Sequence, residues 1–129
     1  MADAEGGAAG STVDNFTNDS AMMIAWERSL EAKRGDDALF TDPLAERLAG
    51  SKGERLSASF ENMSAIFEFG EWREFHKTWV AVRTRFIDDC VLRCSVAPAA
   101  GPQFSQVVNL GAGMDTRPYR LKCYKAFPN

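Results

Sequence analysis

The chain has 129 residues, a length that allows one domain of modest size. Hydrophobic residues make up 45% of the chain and charged residues 26%, the balance of a globular protein with a packed core. Fifteen basic and 18 acidic residues give a net charge of -3 without a long block of one sign. The composition therefore argues against a disordered or fibrous protein, and we expect neither nucleic acid nor a membrane as a partner.

The sequence predicts neither a membrane-spanning helix nor a secretory signal. The longest apolar runs, such as residues 21–26, fall well short of the roughly 18 residues of a membrane helix. Residues 1–12 lack the basic region and the apolar core of a secretory signal, so we expect a cytoplasmic protein. No C-x-x-C pair is present, and no metal site is predicted. Reduced thiols are expected at all the cysteines: Cys90, Cys94 and Cys123.

The first half of the chain predicts a tail and two helices. Residues 1–13 are mostly small, and we expect them to be disordered. The first helix is predicted to begin with Asp19 or Ser20 as N-cap and to end at Gly35 in a left-handed turn. Its apolar residues follow at helical spacing: Met23, Trp26 and Leu30.

A second, short helix is predicted to begin at Asp42-Pro43 and to stop at Gly50, because proline suits the first helical position. The following stretch is ambiguous, although residues 58–69 favour a helix. The longest periodic stretch runs from Glu71 to Cys94 and predicts a helix with a buried face. That face consists of Trp72, Phe75, Trp79, Val82, Phe86 and Cys90.

A change of pattern follows the long helix. Residues 97–103 contain two prolines and a glycine and predict a connection. Residues 106–110 are β-branched and apolar, which predicts a strand buried on both faces of a parallel sheet. A parallel strand needs neighbours that are reached by crossovers of a dozen or more residues, and only residues 114–129 remain after the loop. We therefore expect the sequence to be the N-terminal part of a larger, truncated α/β domain.

A glycine loop, Gly111-Ala112-Gly113, ends the predicted strand. Glycines let the backbone approach a ligand closely, and doubly wound folds bind nucleotides at the carboxyl ends of their strands. The dinucleotide fingerprint needs a third glycine where Thr116 stands, and no Walker lysine follows. Pyrophosphate binding and a nicotinamide-dependent oxidoreductase are therefore disfavoured. From the spacing alone, a cofactor loop and a structural tight turn both remain open.

The letters around this loop are more specific. The segment NLGAGMDTR, followed by Tyr119-Arg120-Leu121, resembles the motif of the leucine carboxyl methyltransferase family. Three upstream groups agree with it in order and spacing: Ser20-Ala21 with Arg28 and Glu31, Asp42-Pro43 with Ala45 and Leu48-Ala49-Gly50, and Arg83-Thr84 with Phe86, Asp88 and Asp89. The resemblance covers roughly residues 14–122.

This resemblance implies an α/β fold, the N-terminal part of a class I (Rossmann-like) methyltransferase. Residues 14–97 would form its helical cap, and residues 104–122 the first strand and the glycine loop. It also implies binding of S-adenosyl-L-methionine and methyl transfer to a carboxylate or hydroxyl oxygen, on a small molecule or a protein C-terminal carboxylate. The methyl acceptor and the catalytic residues are not assigned, and by resemblance they would lie beyond Asn129.

The resemblance also names cofactor-binding residues. Gly111, Ala112 and Gly113 would lie against the methionine part of the cofactor, and Arg83 would pair with its carboxylate. The residues themselves give a related argument, because Arg83 borders the apolar stripe of the long helix, where an unpaired guanidinium would be costly to bury. An internal salt bridge to Asp88, Asp89 or another acid is the alternative.

Several polar residues have two possible roles. Asp115 could bind the cofactor or cap the short turn before Pro118. Arg117 and Arg120 are expected to pair with acids inside the fold. His76, the sole histidine, is interpreted as a partly buried residue of an amphipathic helix and receives no catalytic role. The alternative for the whole chain is a truncated fragment or helical interaction module without turnover.

Overall fold

The computed structural model of the chain describes residues 12–64, 72–95, 104 and 106–127. They form three long helices and one short one. Turns of 3-10 helix lie at Gly35–Asp37 and Lys122–Ala126. The helices are α1 (Thr12–Ala32), α2 (Ala45–Ser64), α3 (Trp72–Ser95) and α4 (Arg117–Arg120).

The first helix begins earlier than predicted. It starts at Thr12, so the predicted N-cap at Asp19 or Ser20 is wrong. The hydroxyl of Ser20 donates a hydrogen bond of 3.0 Å to the carbonyl oxygen of Thr17, a bond that serines make inside helices. Residues 1–11 of the predicted tail lie outside the described residues. The left-handed turn predicted at Gly35 is confirmed by a φ of +65°, three residues after the helix ends.

The second helix has the predicted cap. One carboxylate oxygen of Asp42, Oδ1, accepts the backbone N–H groups of Leu44 and Ala45, at 3.3 and 3.1 Å. Gly50, with φ +56° and ψ -170°, interrupts the helix, so the predicted end there is observed as a kink, after which the helix resumes. Residues 58–64 of the helix predicted over 58–69 are helical, and residues 65–69 lie outside the described residues.

Two of the long helices approach each other closely at a second glycine of α2. A Cβ atom on Gly53 would lie 2.6 Å from the carbonyl oxygen of Met22 in α1. A side chain there would force the helices apart, because real Cβ atoms do not approach backbone oxygens so closely. Small side chains in both helices are buried, namely Ala25, Ala45 and Ala49, and the last of these lies next to Gly53.

The predicted length of the third helix is confirmed, but the face that was predicted to be buried is wrong. Four residues of the predicted buried stripe are more than half exposed: Phe75, Trp79, Val82 and Phe86. At 100° per residue, the buried residues lie on the opposite side of the helix: Val80, Ala81, Thr84 and Asp88. Spacing shows which residues share a face, but burial depends on which elements pack against that face, and α1 and the segment after the glycine loop pack against the polar side. Cys90 is half-buried, and the side chain of Trp72 lies outside the described residues.

Residues 106–110, which were predicted to form a strand, do not form one. Residues 106–109 are neither helical nor paired with a neighbour, and the described part of the chain contains no β-strand. Val108 and Leu110, predicted to be buried, are 76% and 89% exposed. A strand is stabilised by hydrogen bonds to an adjacent strand, and the described residues provide none. The helical part of the predicted fold is therefore confirmed, whereas the parallel sheet is not visible. The connection predicted at 97–103 lies outside the described residues.

The described residues include no helix with both the length and the apolarity that a membrane crossing needs. The three cysteines are free thiols and half-buried: Cys90, Cys94 and Cys123.

Candidate functional site

The glycine loop turns the chain sharply against α1. Gly111 and Gly113 have φ values of +63° and +50°, a region that side-chain-bearing residues rarely adopt. The backbone N–H of Asp115 donates a hydrogen bond of 2.9 Å to the carbonyl oxygen of Ala112 and closes the turn. A Cβ atom on Gly113 would lie 3.3 Å from the Cβ of Ala21, so this glycine also permits close contact with α1.

A cleft of about 510 Å³ lies between this loop, α1 and α3. Its walls contain all five of the residues predicted to bind a cofactor: Arg83, Gly111, Ala112, Gly113 and Asp115. Residues of α1 complete the opposite wall, among them Thr17, Ser20 and Ile24. The structure therefore brings together residues that the sequence separates by up to about one hundred positions.

Arg83 is exposed at this cleft and has no hydrogen bond or ion pair with the residues that the structure describes. The alternative of an internal salt bridge to Asp88 or Asp89 is not observed. Arg117 and Arg120 bind Asp88, and Arg85 binds Asp89. The expectation of a costly buried guanidinium is wrong, because water solvates an exposed one. Arg83 is thus available to an anion from solution.

The other charged side chains of the cleft wall already have hydrogen-bond or ion-pair partners within the chain. Oδ1 of Asp115 accepts the backbone N–H of Arg117 at 3.0 Å, and Oδ2 accepts both the Arg117 Nη1, at 3.0 Å, and the side-chain amide of Asn109. The bond to the N–H of Arg117 is the turn-capping contact before Pro118 that was considered for Asp115. Burial by itself would raise the pKa of Asp115. The hydrogen bonds and the charge of Arg117, with the Asn109 bond, outweigh burial and lower that pKa below its ordinary value.

Asp88 joins α3 to α4 through two arginines. Its carboxylate receives Nε of Arg117 at 2.8 Å and both terminal nitrogens of Arg120 at 2.7 and 2.8 Å. All three side chains are largely buried, and their opposite charges compensate one another. The prediction that Arg117 and Arg120 pair with acids inside the fold is confirmed.

A second buried acid, Asp42, connects the start of α2 to the glycine loop. Its Oδ2 accepts a hydrogen bond of 3.0 Å from Nε of Arg28 and one of 2.6 Å from the hydroxyl of Thr116. Arg28 also donates from Nη2 to the carbonyl oxygen of Met114 at 2.6 Å. Sequence reasoning assigned Asp42 only a capping role and missed these contacts. One feature of the sequence could have indicated them: Arg28, Asp42 and Thr116 all belong to the positions that match the family motifs, whereas Met114 does not.

His76 lies away from this cleft. Its Nδ1 is 2.8 Å from Glu27, and its ring stacks at a tilt on Phe60 with a centroid distance of 4.8 Å. The interpretation of His76 as a partly buried helix residue agrees with this position. Within the residues that the structure describes, no group of three or more histidine, cysteine or acidic side chains is arranged to hold a metal ion.

The glycine loop and an arginine without a partner among the described residues therefore line the same cleft. Residues 21–127 match the sequence profile of the leucine carboxyl methyltransferase family. The chain belongs to this family.

Individual relatives agree with this assignment. A protein of Parafrankia sp. (strain EAN1pec) is 37% identical over 102 residues, which cover 79% of this chain and 30% of the relative. One of Streptomyces coelicolor is 34% identical over 111 residues, covering 79% and 33%. One of Mycobacterium tuberculosis (strain ATCC 25177 / H37Ra) is 37% identical over 106 residues, covering 79% and 29%. All three bear the provisional name of S-adenosyl-L-methionine-dependent methyltransferase.

The chain spans about a third of the length of the curated relatives it matches. No solved structure matches it.

Proposed function

We propose that this chain carries the S-adenosyl-L-methionine site of a methyltransferase, in the cleft between α1, α3 and the glycine loop. The proposal rests on one observation: Arg83 is the one charged side chain of the cleft wall without a partner among the described residues, and it shares that wall with the open backbone of Gly111–Gly113. The names of the relatives support the choice of ligand.

The residues of the cleft fit the methionine part of this cofactor. That part ends in a carboxylate, and a guanidinium binds a carboxylate through two parallel, charge-assisted hydrogen bonds. A Cβ atom on Gly111 would meet no atom within 4 Å, so the loop backbone borders open space in which a ligand could lie. Asp115 is committed to Arg117 and Asn109 and would shape the loop, so we assign it no role as a base.

When bound, the cofactor supplies an electrophilic methyl group on a positively charged sulfur. The proposed contribution of the chain is to hold the cofactor in one orientation. Arg83 would bind its carboxylate, and the backbone of the glycine loop would lie along its methionine part. An acceptor could then approach the methyl group in line with the bond that breaks. We propose that the acceptor is a carboxylate or hydroxyl oxygen of a small molecule or of a protein C-terminus. A carboxylate is already ionised at neutral pH and needs no general base.

The proposal is tested by calorimetric titration of the purified chain with S-adenosyl-L-methionine. The Arg83→Ala variant should weaken binding about tenfold, because an exposed charge-assisted contact lies at the lower end of its usual range of about 1.5–3 kcal/mol. Arg85→Ala is the matched control, since Arg85 lies in the same helix and is bound to Asp89 away from the cleft. Equal loss in both variants, or no binding by the unaltered chain, would refute the proposal.

A further inference from the structure

The two carboxylate oxygens of Asp42 serve two different parts of the fold. Oδ1 caps α2 by accepting the N–H groups of Leu44 and Ala45, whereas Oδ2 accepts from Arg28 and Thr116. Asp42 is only 3% exposed, and burying a carboxylate costs free energy unless hydrogen bonds and opposite charges compensate it. A cap alone would use one oxygen and could remain at the surface. The second set of bonds therefore calls for its own explanation.

The hydrogen bonds of Oδ2 connect Asp42 to residues at the wall of the cleft. Arg28, oriented by Asp42, donates to the carbonyl oxygen of Met114, and Thr116 donates its hydroxyl hydrogen to Asp42 while accepting a bond of 3.2 Å from Nε of Arg120. Met114 and Thr116 are the two neighbours of Asp115. The chain is thus held on both sides of the residue that closes the glycine loop.

We infer that Asp42 is a positioning residue for the cleft: through Arg28 and Thr116 it sets the backbone path of residues 114–116, and with it the placement of Gly111–Gly113. Asp42 does not itself line the cleft. The inference rests on the proposed function in so far as the cleft binds S-adenosyl-L-methionine. The loop contacts of Asp42, by contrast, involve only residues of the chain itself.

The variant Asp42→Asn separates the two roles. Asparagine caps a helix about as well as aspartate, so its oxygen can keep the bonds to the start of α2. Its amide nitrogen carries hydrogens and cannot accept from Arg28 and Thr116. Asp89→Asn is the matched control, because it makes the same change of charge at an exposed ion pair with Arg85. Circular dichroism of both variants checks that the helices persist.

Hydrogen exchange of the ligand-free chain is the first readout. In Asp42→Asn, the two loop amides that donate hydrogen bonds, those of Asp115 and Arg117, should exchange about tenfold faster, while those in the middle of α3 keep their rates. Asp89→Asn should leave the loop unchanged. Unchanged exchange at the loop in Asp42→Asn, or equal acceleration in the control, would overturn the inference. Because no ligand is needed, this result stands even if the proposed function fails.

Titration with S-adenosyl-L-methionine is the second readout. The Kd should rise about tenfold in Asp42→Asn and less in Thr116→Val. If Asp42 acts through Thr116, the threonine substitution should weaken binding less in the Asp42→Asn background than in the unaltered chain, because only the bond from Arg120 is then left to remove. Additive effects would overturn this route. If Asp42→Asn does not fold, exchange of the loop in Thr116→Val decides, and a loop that is as protected as in the unaltered chain would contradict the inference.

Discussion

Nη2 of Arg28 lies 2.6 Å from the carbonyl oxygen of Met114, although 86 positions separate the two residues. Through this bond the C-terminal part of α1 holds the residue that follows the glycine loop. Arg28 also pairs with Asp42, whose side chain is completely shielded from solvent. The contact therefore joins packing of the helical layer to the geometry of the cleft.

Removing the Arg28 charge should destabilise the chain strongly. Arg28→Met leaves the buried Asp42 carboxylate without its main counter-ion, and breaking one side of a buried pair costs about 3–5 kcal/mol. The free energy of unfolding in urea measures this loss. Arg34→Met is the control, since Arg34 is largely exposed and its pair with Glu31 should contribute less than about 1 kcal/mol. Similar losses in the two variants would show that the buried pair has no special weight.

The lowered pKa of Asp115 predicts loss of stability in acid. An acid whose pKa is lower in the folded chain than in the unfolded chain stabilises the fold above the unfolded value, near 3.8, and loses this contribution as the pH falls through the folded value. Asp115→Asn lacks the contribution at every pH. We expect the difference in Tm between the unaltered chain and this variant to be full at pH 6 and to shrink below about pH 4. A difference that is constant across this range would contradict the prediction.

The two glycines of the loop should respond differently to alanine. Both have positive φ, which costs an alanine about 1–2 kcal/mol, but only the Cβ of Gly113→Ala meets another atom, 3.3 Å away on Ala21. Gly113→Ala should therefore lower the free energy of unfolding more than Gly111→Ala does. The latter should mainly weaken binding of S-adenosyl-L-methionine, since its methyl group would enter open space at the cleft. Urea unfolding and calorimetry measure the two effects, and the reverse order of stability would count against the described contact with α1.

The corrected face of α3 is open to the same kind of test. Val80 is fully buried, so Val80→Ala should cost about 2 kcal/mol through lost apolar burial and the cavity left behind. Phe86 belongs to the stripe that the periodicity predicts to be buried, yet it is 63% exposed. Phe86→Ala should change the free energy of unfolding by less than about 1 kcal/mol. A larger decrease in the free energy of unfolding in Phe86→Ala than in Val80→Ala would support the buried face predicted from spacing instead.

These contrasts show which features the sequence could predict. The Asp42 cap and the left-handed turn at Gly35 depend on neighbouring residues, and both are confirmed. The bond between Thr116 and Asp42 spans 74 positions and has no local signature. Arg83 and Gly111–Gly113 were predicted to bind the cofactor from family motifs, which connect distant segments without showing their contacts, and Asp115 from its place after the glycines; their cofactor role stays a prediction. A strand needs a hydrogen-bonded neighbour, and the described residues provide none, so the pattern of residues 106–110 alone could not predict the outcome.

The role of Arg83 can be tested at the level of a single functional group of the ligand. If its guanidinium binds the cofactor carboxylate, decarboxylated S-adenosylmethionine should bind the unaltered chain about tenfold more weakly than S-adenosyl-L-methionine does. In Arg83→Ala the two ligands should bind with equal affinity, because the partner of the carboxylate is gone. Arg85→Ala should keep the discrimination of the unaltered chain, since Arg85 is bound to Asp89. Discrimination that survives in Arg83→Ala would place the carboxylate elsewhere in the cleft.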